Sequence, residues 1–183
     1  MKNKKTVLIF LLSICIAGLS AQTYSNKFDL KIGTGLGFMG WGDRITMGFE
    51  NELNYKVNNY FTAAIGIGTG RSINNAEGQN DYLQGSISVF ISPFKNNGRN
   101  NFRIGGGYTY INETTTYIGM IYYVPYYSIR YTYATQSHNA FNIIVENEYR
   151  INARFLIGVK AFTTGRIDGG ILSGGMVKLG VAL

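Results

Sequence analysis

The sequence predicts an all-β fold, an eight-stranded antiparallel up-and-down transmembrane β-barrel that follows a cleaved N-terminal signal peptide. Three observations predict it. Eight segments of about ten residues alternate apolar with small or charged side chains, the period of a strand with two unlike faces. Glycine contributes 24 of 183 residues, and 14% are aromatic while only 15% are charged, against about 25% charged and roughly 7% Gly in an ordinary soluble domain. The long apolar run of the chain lies at its N-terminus. The same composition excludes other classes. Tyr (14) and Phe (11) are too abundant for disorder, a G-x-y period is missing, and one Cys cannot make a disulfide scaffold.

The leader comes first. Lys2, Lys4 and Lys5 form a basic region, Val7–Ile16 an apolar one, and Ala17–Ala21 a small-residue end. This is the layout of a secretory signal peptide cleaved after Ala21, giving a signal peptide at 1–21 and a single barrel domain at 22–183. The stretch Thr6–Leu19 is short for a span of about 20 residues. Cys15 lies inside the apolar region behind Ile14, a poor setting for lipidation. Cleavage removes three lysines, so the formal charge of +7 falls to +4, with 14 basic and 10 acidic residues. Nucleic acid is not an expected partner.

Each strand then follows in order. Phe28, Leu30, Ile32, Leu36 and Phe38 alternate with Asp29, Lys31, Gly33, Gly35 and Gly37. Met47, Phe49, Leu53, Tyr55 and Val57 alternate with Gly48, Glu50, Glu52, Asn54 and Lys56. Phe61, Ala63, Ile65 and Ile67 oppose Thr62, Ala64, Gly66 and Gly68. Leu83, Ile87, Val89 and Ile91 oppose Gln84, Ser86 and Ser88. Phe102, Ile104, Tyr108 and Tyr110 oppose Arg103, Gly105, Gly107 and Thr109. Phe141, Ile143, Val145 and Tyr149 oppose Asn142, Glu146, Glu148 and Arg150. Phe155, Ile157, Val159 and Ala161 oppose Arg154, Gly158 and Lys160. Val177, Leu179, Val181 and Leu183 oppose Lys178, Gly180 and Ala182.

Alternation alone also suits a soluble sandwich or lipocalin-like barrel. The leader, the glycine-rich second face and the aromatics favour lipid on the apolar side. An eight-stranded barrel leaves room only for side chains inside, which suits glycines there. Phe28, Tyr55, Phe61, Phe102, Tyr149 and Phe155 mark one rim, and Phe38, Trp41, Phe49, Tyr82, Tyr108, Tyr110 and Phe141 the other, the two belts of a membrane protein. Connections at Asn58–Tyr60 and Asn152–Ala153 are tight and Pro93–Asn101 is moderate. Those at Met39–Arg44, Arg71–Asp81, Asn112–His138 and Gly165–Gly175 are expected to be longer and to face outward.

With leader, eight amphipathic segments and a last strand at the carboxyl end, the chain resembles the small OmpA/OmpX-type eight-stranded outer-membrane barrels. More closely it resembles the "outer membrane protein beta-barrel domain" proteins of Bacteroidota. The resemblance covers the mature chain and is architectural. It implies location in the bacterial outer membrane, contact with outer-membrane lipid and lipopolysaccharide, and handling by the outer-membrane assembly machinery. One departure is that such barrels often end in an aromatic residue, whereas this chain ends in Leu183.

The polar face predicts a lumen ion-pair network. Its acids are Asp29, Glu50, Glu52, Glu146 and Glu148, and its bases Lys31, Lys56, Arg103, Arg150, Arg154, Lys160 and Lys178. A catalytic carboxylate pair is the sharper alternative. Residues i and i+2 on one strand lie about 7 Å apart, and buried charge in any case demands pairing, so a structural network is expected.

The segment Asn112–His138 is too aromatic for a solvated loop. Ile118, Met120 and Tyr122 continue the apolar parity of the fifth strand, and Ile129, Tyr131 and Tyr133 anticipate the sixth. A turn at Val124–Tyr127, with Pro125 in it, makes one long protruding hairpin. The rival is a ten-stranded barrel using Tyr117–Val124 and Ser128–Thr135. The hairpin's contact candidates are Tyr117, Tyr122, Tyr123, Tyr126, Tyr127, Tyr131 and Tyr133, suited to a protein partner.

Little chemistry is expected. The sole His, His138, is expected on a surface loop, and neighbouring Ser137 points to the opposite face, so the two cannot act as base and nucleophile. No zinc cluster and no cofactor are expected. Gly33–Gly37 and Gly66–Gly70 lack the Lys-Ser/Thr and helix of a phosphate loop. The expected function is therefore a non-enzymatic surface barrel for structure, adhesion or partner binding. A narrow channel or small-solute porin is the alternative, and a lipid-modifying enzyme the least favoured.

Overall fold

The structure, a computed structural model, describes residues 27–40, 44–73, 79–95, 98–123 and 126–183, with the backbone alone described over 118–131. The expected leader at 1–21, Trp41, Val124 and Pro125 lie outside the described residues. Eight strands follow one another: β1 (Phe28–Gly40), β2 (Arg44–Lys56), β3 (Phe61–Ser72), β4 (Gln79–Ile91), β5 (Asn100–Tyr123), β6 (Tyr126–Arg150), β7 (Phe155–Arg166) and β8 (Ile171–Ala182). Each pairs antiparallel with its neighbour, and β1 pairs with β8, from Asp29↔Ala182 to Gly40↔Ile171, closing the barrel. Eight strands, not ten, make the wall.

The alternation is inverted relative to a soluble protein. Ile32, Met47, Ile67, Ile87, Ile143 and Val159 are exposed on the outside, while Asp29, Lys31, Glu50, Arg103, Glu146 and Lys178 are buried within. β1 to β4, β7 and β8 have 12 or 13 residues each. At about 3.3 Å per residue and a tilt of roughly 40°, such strands rise about 30 Å, the thickness of a hydrocarbon layer.

One pair of tight turns uses the same device twice. Asn58 Oδ1 accepts from the amides of Tyr60 (2.8 Å) and Phe61 (2.9 Å), and Asn152 Oδ1 from those of Arg154 and Phe155 (2.8 Å each). The Asn side chain supplies the local acceptor that a reversal needs. On the other side, three connections are shorter than expected because the ladders run on. Met39 pairs with Arg44, Arg71 with Asp81, and Gly165 with Ile171. The last reversal is completed by Gly169 (φ 96°) and Gly170 (φ 91°), which take a backbone conformation that side chains resist.

β5 and β6 are twice as long as the rest and pair from Asn100↔Tyr149 to Tyr123↔Tyr126. Tyr126 and Tyr127 are strand residues, opposite Tyr123 and Tyr122, rather than members of the turn. β4 accompanies β5 only to Thr116, and β7 accompanies β6 only from Ala140. Beyond these points, among the described residues, the two strands pair in the ladder only with each other, over 117–123 and 126–138.

Candidate functional site: the charge-filled lumen and the long hairpin

The inward residues stack in layers from the turn end upward. Lowest, Lys56 Nζ lies 3.2 Å from Asp29. Above it, four acids and four bases interlock, supplied by six different strands. Arg103 is the hub: Nη2 reaches Glu146 (2.9 Å), Glu52 (3.0 Å) and Glu148 (3.0 Å), and Nη1 donates to Asn54 Oδ1 at 2.9 Å. Its guanidinium lies 4.1 Å over the ring of Phe90, itself wholly buried. Lys178 Nζ lies 2.6 Å from Glu52 and 3.2 Å from Glu50, and Lys160 Nζ 2.6 Å from Glu50. Lys31 pairs with Glu148 and, at 3.4 Å, with Glu146. The eight charges cancel, as burial requires.

Glycines make this packing possible. A Cβ on Gly105 would stand 2.4 Å from the Phe90 ring, and one on Gly70 2.4 Å from the Tyr82 ring. Above the charges, Met39, Tyr82, Ile111, Ala140 and Leu172 form an apolar layer, with Phe162 packed against it. Tyr82 therefore faces the lumen, not the outer rim. Its even number already set it against the outward Leu83, Ile87 and Val89.

A second polar cluster caps the apolar layer. Arg166 Nη1 lies 2.9 Å from Glu113 Oε2, and Asn80 donates to Glu113 Oε1 at 3.0 Å. His138 is buried here rather than on a surface loop, because β6 continues through it. Its Nδ1 is 2.5 Å from Asp168 Oδ2, in the β7–β8 turn, while Nε2 has no hydrogen-bond partner among the described residues and stands 3.9 Å from Glu113. Partial burial pushes the Asp168 carboxyl up, but the His138 hydrogen bond and the nearby Arg166 charge outweigh it and hold it below its ordinary value.

Ten of the twelve expected network residues lie in the lumen. Arg150 is half-buried at its turn-end mouth, and Arg154 is exposed in the β6–β7 turn, just before the strand that would have turned it inward. Sequence reasoning missed Phe90, Asn54, Glu113 and the His138–Asp168 pair. All but Asp168 were legible by parity. Of the hairpin candidates, Tyr117 and Tyr133 are exposed, and the side chains of Tyr122, Tyr123, Tyr126, Tyr127 and Tyr131 lie outside the described residues. No group of His, Cys, Asp and Glu among the described residues is arranged to hold a metal ion.

The same shape recurs in solved structures. Neisserial surface protein A matches with a TM-score of 0.66 at 9% identity, covering 86% of this chain and 97% of that one. The chain has the fold of a small outer-membrane β-barrel. Ail, the attachment invasion locus protein of Yersinia pestis, matches at 0.58 and 12% identity over 84% of this chain and 96% of that one. A further Ail structure contains the heparin analogue sucrose octasulfate. The outer membrane enzyme PagL matches at 0.52 and 10% identity, over 84% and 99%. No family model matches the chain, and no curated protein does.

Proposed function

We propose that this chain is a non-enzymatic integral protein of the bacterial outer membrane, exported by a signal peptide at 1–21 and akin to the outer-membrane barrel proteins of Bacteroidota. In this reading the barrel is a closed anchor, and the outer hairpin binds a protein partner. The carrying observation is the register. β6 runs about 40 Å of ladder, from Tyr126 to His138, with no backbone ladder partner among the described residues on its β7 side. Such an edge accepts an extended segment through main-chain hydrogen bonds, and Tyr side chains add amphipathic contact area.

The layered lumen supports the anchor role over a channel, since both a charged and an apolar layer cross it. A polysulfated ligand of the kind seen with Ail is not favoured, because between Glu113 and His138 the hairpin carries only Arg130.

The test joins Thr116 to Tyr133, which pair across the ladder, through an Asn-Gly turn and so removes 117–132. A labelled strand-forming peptide with the sequence of residues 128–137 is expected to bind the intact barrel saturably and to lose the excised one. Equal binding to both, or none to the intact barrel, refutes the hairpin role. Steady single-channel currents abolished by Glu50→Gln or Arg103→Met refute the sealed lumen.

A further inference from the structure

The net charge of the described side chains is confined to one end of the barrel. In the lumen, Lys31, Arg103, Lys160 and Lys178 balance Glu50, Glu52, Glu146 and Glu148. Among the described side chains the hairpin side holds Arg44, Arg71 and Arg166 against Asp81, Glu113 and Asp168. The turn end holds Lys27, Lys56, Lys95, Arg99, Arg150 and Arg154 against Asp29 alone. The three zones carry about 0, 0 and +5 among the described side chains.

The bases at the turn end have a common setting. Lys27, Lys95, Arg99 and Arg154 are exposed and form no ion pair among the described residues. Five of the six adjoin an exposed aromatic in the chain: Lys27 beside Phe28, Lys56 beside Tyr55, Lys95 beside Phe94, Arg150 beside Tyr149 and Arg154 beside Phe155. Exposed aromatics at a barrel rim sit at headgroup level. Lys and Arg next to them extend their apolar stems along the acyl boundary and place their charges among the phosphates. Lys56, Arg99 and Arg150 also converge on one cleft in this rim, with Asn101, Glu148 and Leu156 in its wall. A polyanion in free solution would need the bases but not the aromatic beside each.

We propose that the turn end of the barrel is a binding rim for anionic phospholipid headgroups, formed by Lys27, Lys95, Arg150 and Arg154 with their neighbouring aromatics and by Arg99. The proposal rests on the transmembrane reading but not on the hairpin's role. Topologically this rim lies in the leaflet that both described chain ends face. It would fix the depth of the barrel there, independently of the charge-balanced hairpin side.

The test reconstitutes the exported protein into phosphatidylcholine vesicles containing spin-labelled phosphatidylglycerol or spin-labelled phosphatidylcholine. Bound label is read by electron paramagnetic resonance. A preference for phosphatidylglycerol on the order of fivefold is expected at low salt, the effect of about one basic residue per headgroup at a membrane surface. High salt weakens it. The quadruple variant K27Q/K95Q/R99Q/R154Q, which breaks no ion pair, is expected to associate equally with both lipids, whereas R71Q, at the other end, retains the preference. Inorganic phosphate in place of chloride at the same ionic strength leaves it unchanged. Equal association by the wild type, a preference surviving in the quadruple variant, or displacement by inorganic phosphate overturns the proposal. Failure of the wild type to insert at all refutes the transmembrane reading on which it rests.

Discussion

Replacing Arg103 with Met tests whether the lumen network holds the barrel together. The substitution keeps length and apolar bulk over Phe90 but removes the hub of three carboxylates at 2.9–3.0 Å. With charge centres about 4 Å apart, each contact is worth about 4 kcal/mol at an effective dielectric constant of 20. Burying the guanidinium itself costs several kcal/mol, so the gross gain is largely offset. What remains is the penalty of leaving four buried acids against three bases in the lumen, about 3–5 kcal/mol. With a urea slope of roughly 2 kcal/mol/M the unfolding midpoint falls by about 2 M. The assay is urea unfolding in detergent micelles followed by far-UV circular dichroism. The double variant R103M/E146Q restores neutrality, since Glu146 faces Arg103 at 2.9 Å and Lys31 at 3.4 Å, and is expected to recover part of the loss. A single variant as stable as wild type, or a double variant less stable than the single, refutes the argument that charge balance is what the lumen requires.

Two further predictions concern packing and pH. Gly105→Val drives a Cβ into the Phe90 ring and the Val89 carbonyl oxygen, and is expected to cost about 1–3 kcal/mol by overpacking. Phe90→Ala alone opens a void under Arg103 at about 3–5 kcal/mol, and the double variant should cost less than the sum, read by the same urea titration. The Asp168 carboxyl is held below its ordinary value, so its contribution to the β7–β8 turn is present above about pH 4 and is lost as pH falls through the depressed value. Hydrogen exchange at Gly169, whose amide donates to Arg166 O at 3.2 Å, should quicken below that point in wild type, after correction for the intrinsic rate. In Asp168→Asn no such step should appear. A step of equal size in both would show that the turn is held by other groups.

The wall of the barrel was legible because its signal repeats: one wrong face per strand would flip every residue of that strand. That is why the outward set from Phe28 to Leu183 agrees with the structure. The edges of the elements were harder. Gly165–Gly175 reads as a loop because its glycines resemble punctuation, yet Gly174 is there to admit the Leu36 carbonyl oxygen, 2.4 Å from where its Cβ would stand. His138 looked like a loop residue only because strand six was begun at Phe141. Once β6 is extended, its even number puts it inside with Asn142 and Glu146. Its partner Asp168 is a turn residue with no parity, and only closure of β7 onto β8 brings the two together.

Charge in this protein serves three separate purposes, and the position along the barrel axis decides which. In the lumen each charge is buried, so it must be cancelled locally, and Arg103 cannot be exchanged for Lys without losing its simultaneous reach to Asn54 and three carboxylates. On the hairpin side, pairs such as Arg71 Nε with Asp81 at 2.7 Å are exposed, and at an exposed site such a pair adds little stability. Its effect there is to keep the rim near neutrality, which suits the proposed recognition of a partner through backbone and Tyr rather than charge. At the turn end Lys27, Lys95, Arg99 and Arg154 are exposed and form no ion pair among the described residues, and water alone gives no reason to gather bases beside aromatics there. A surface that supplies phosphates at the depth of those rings does.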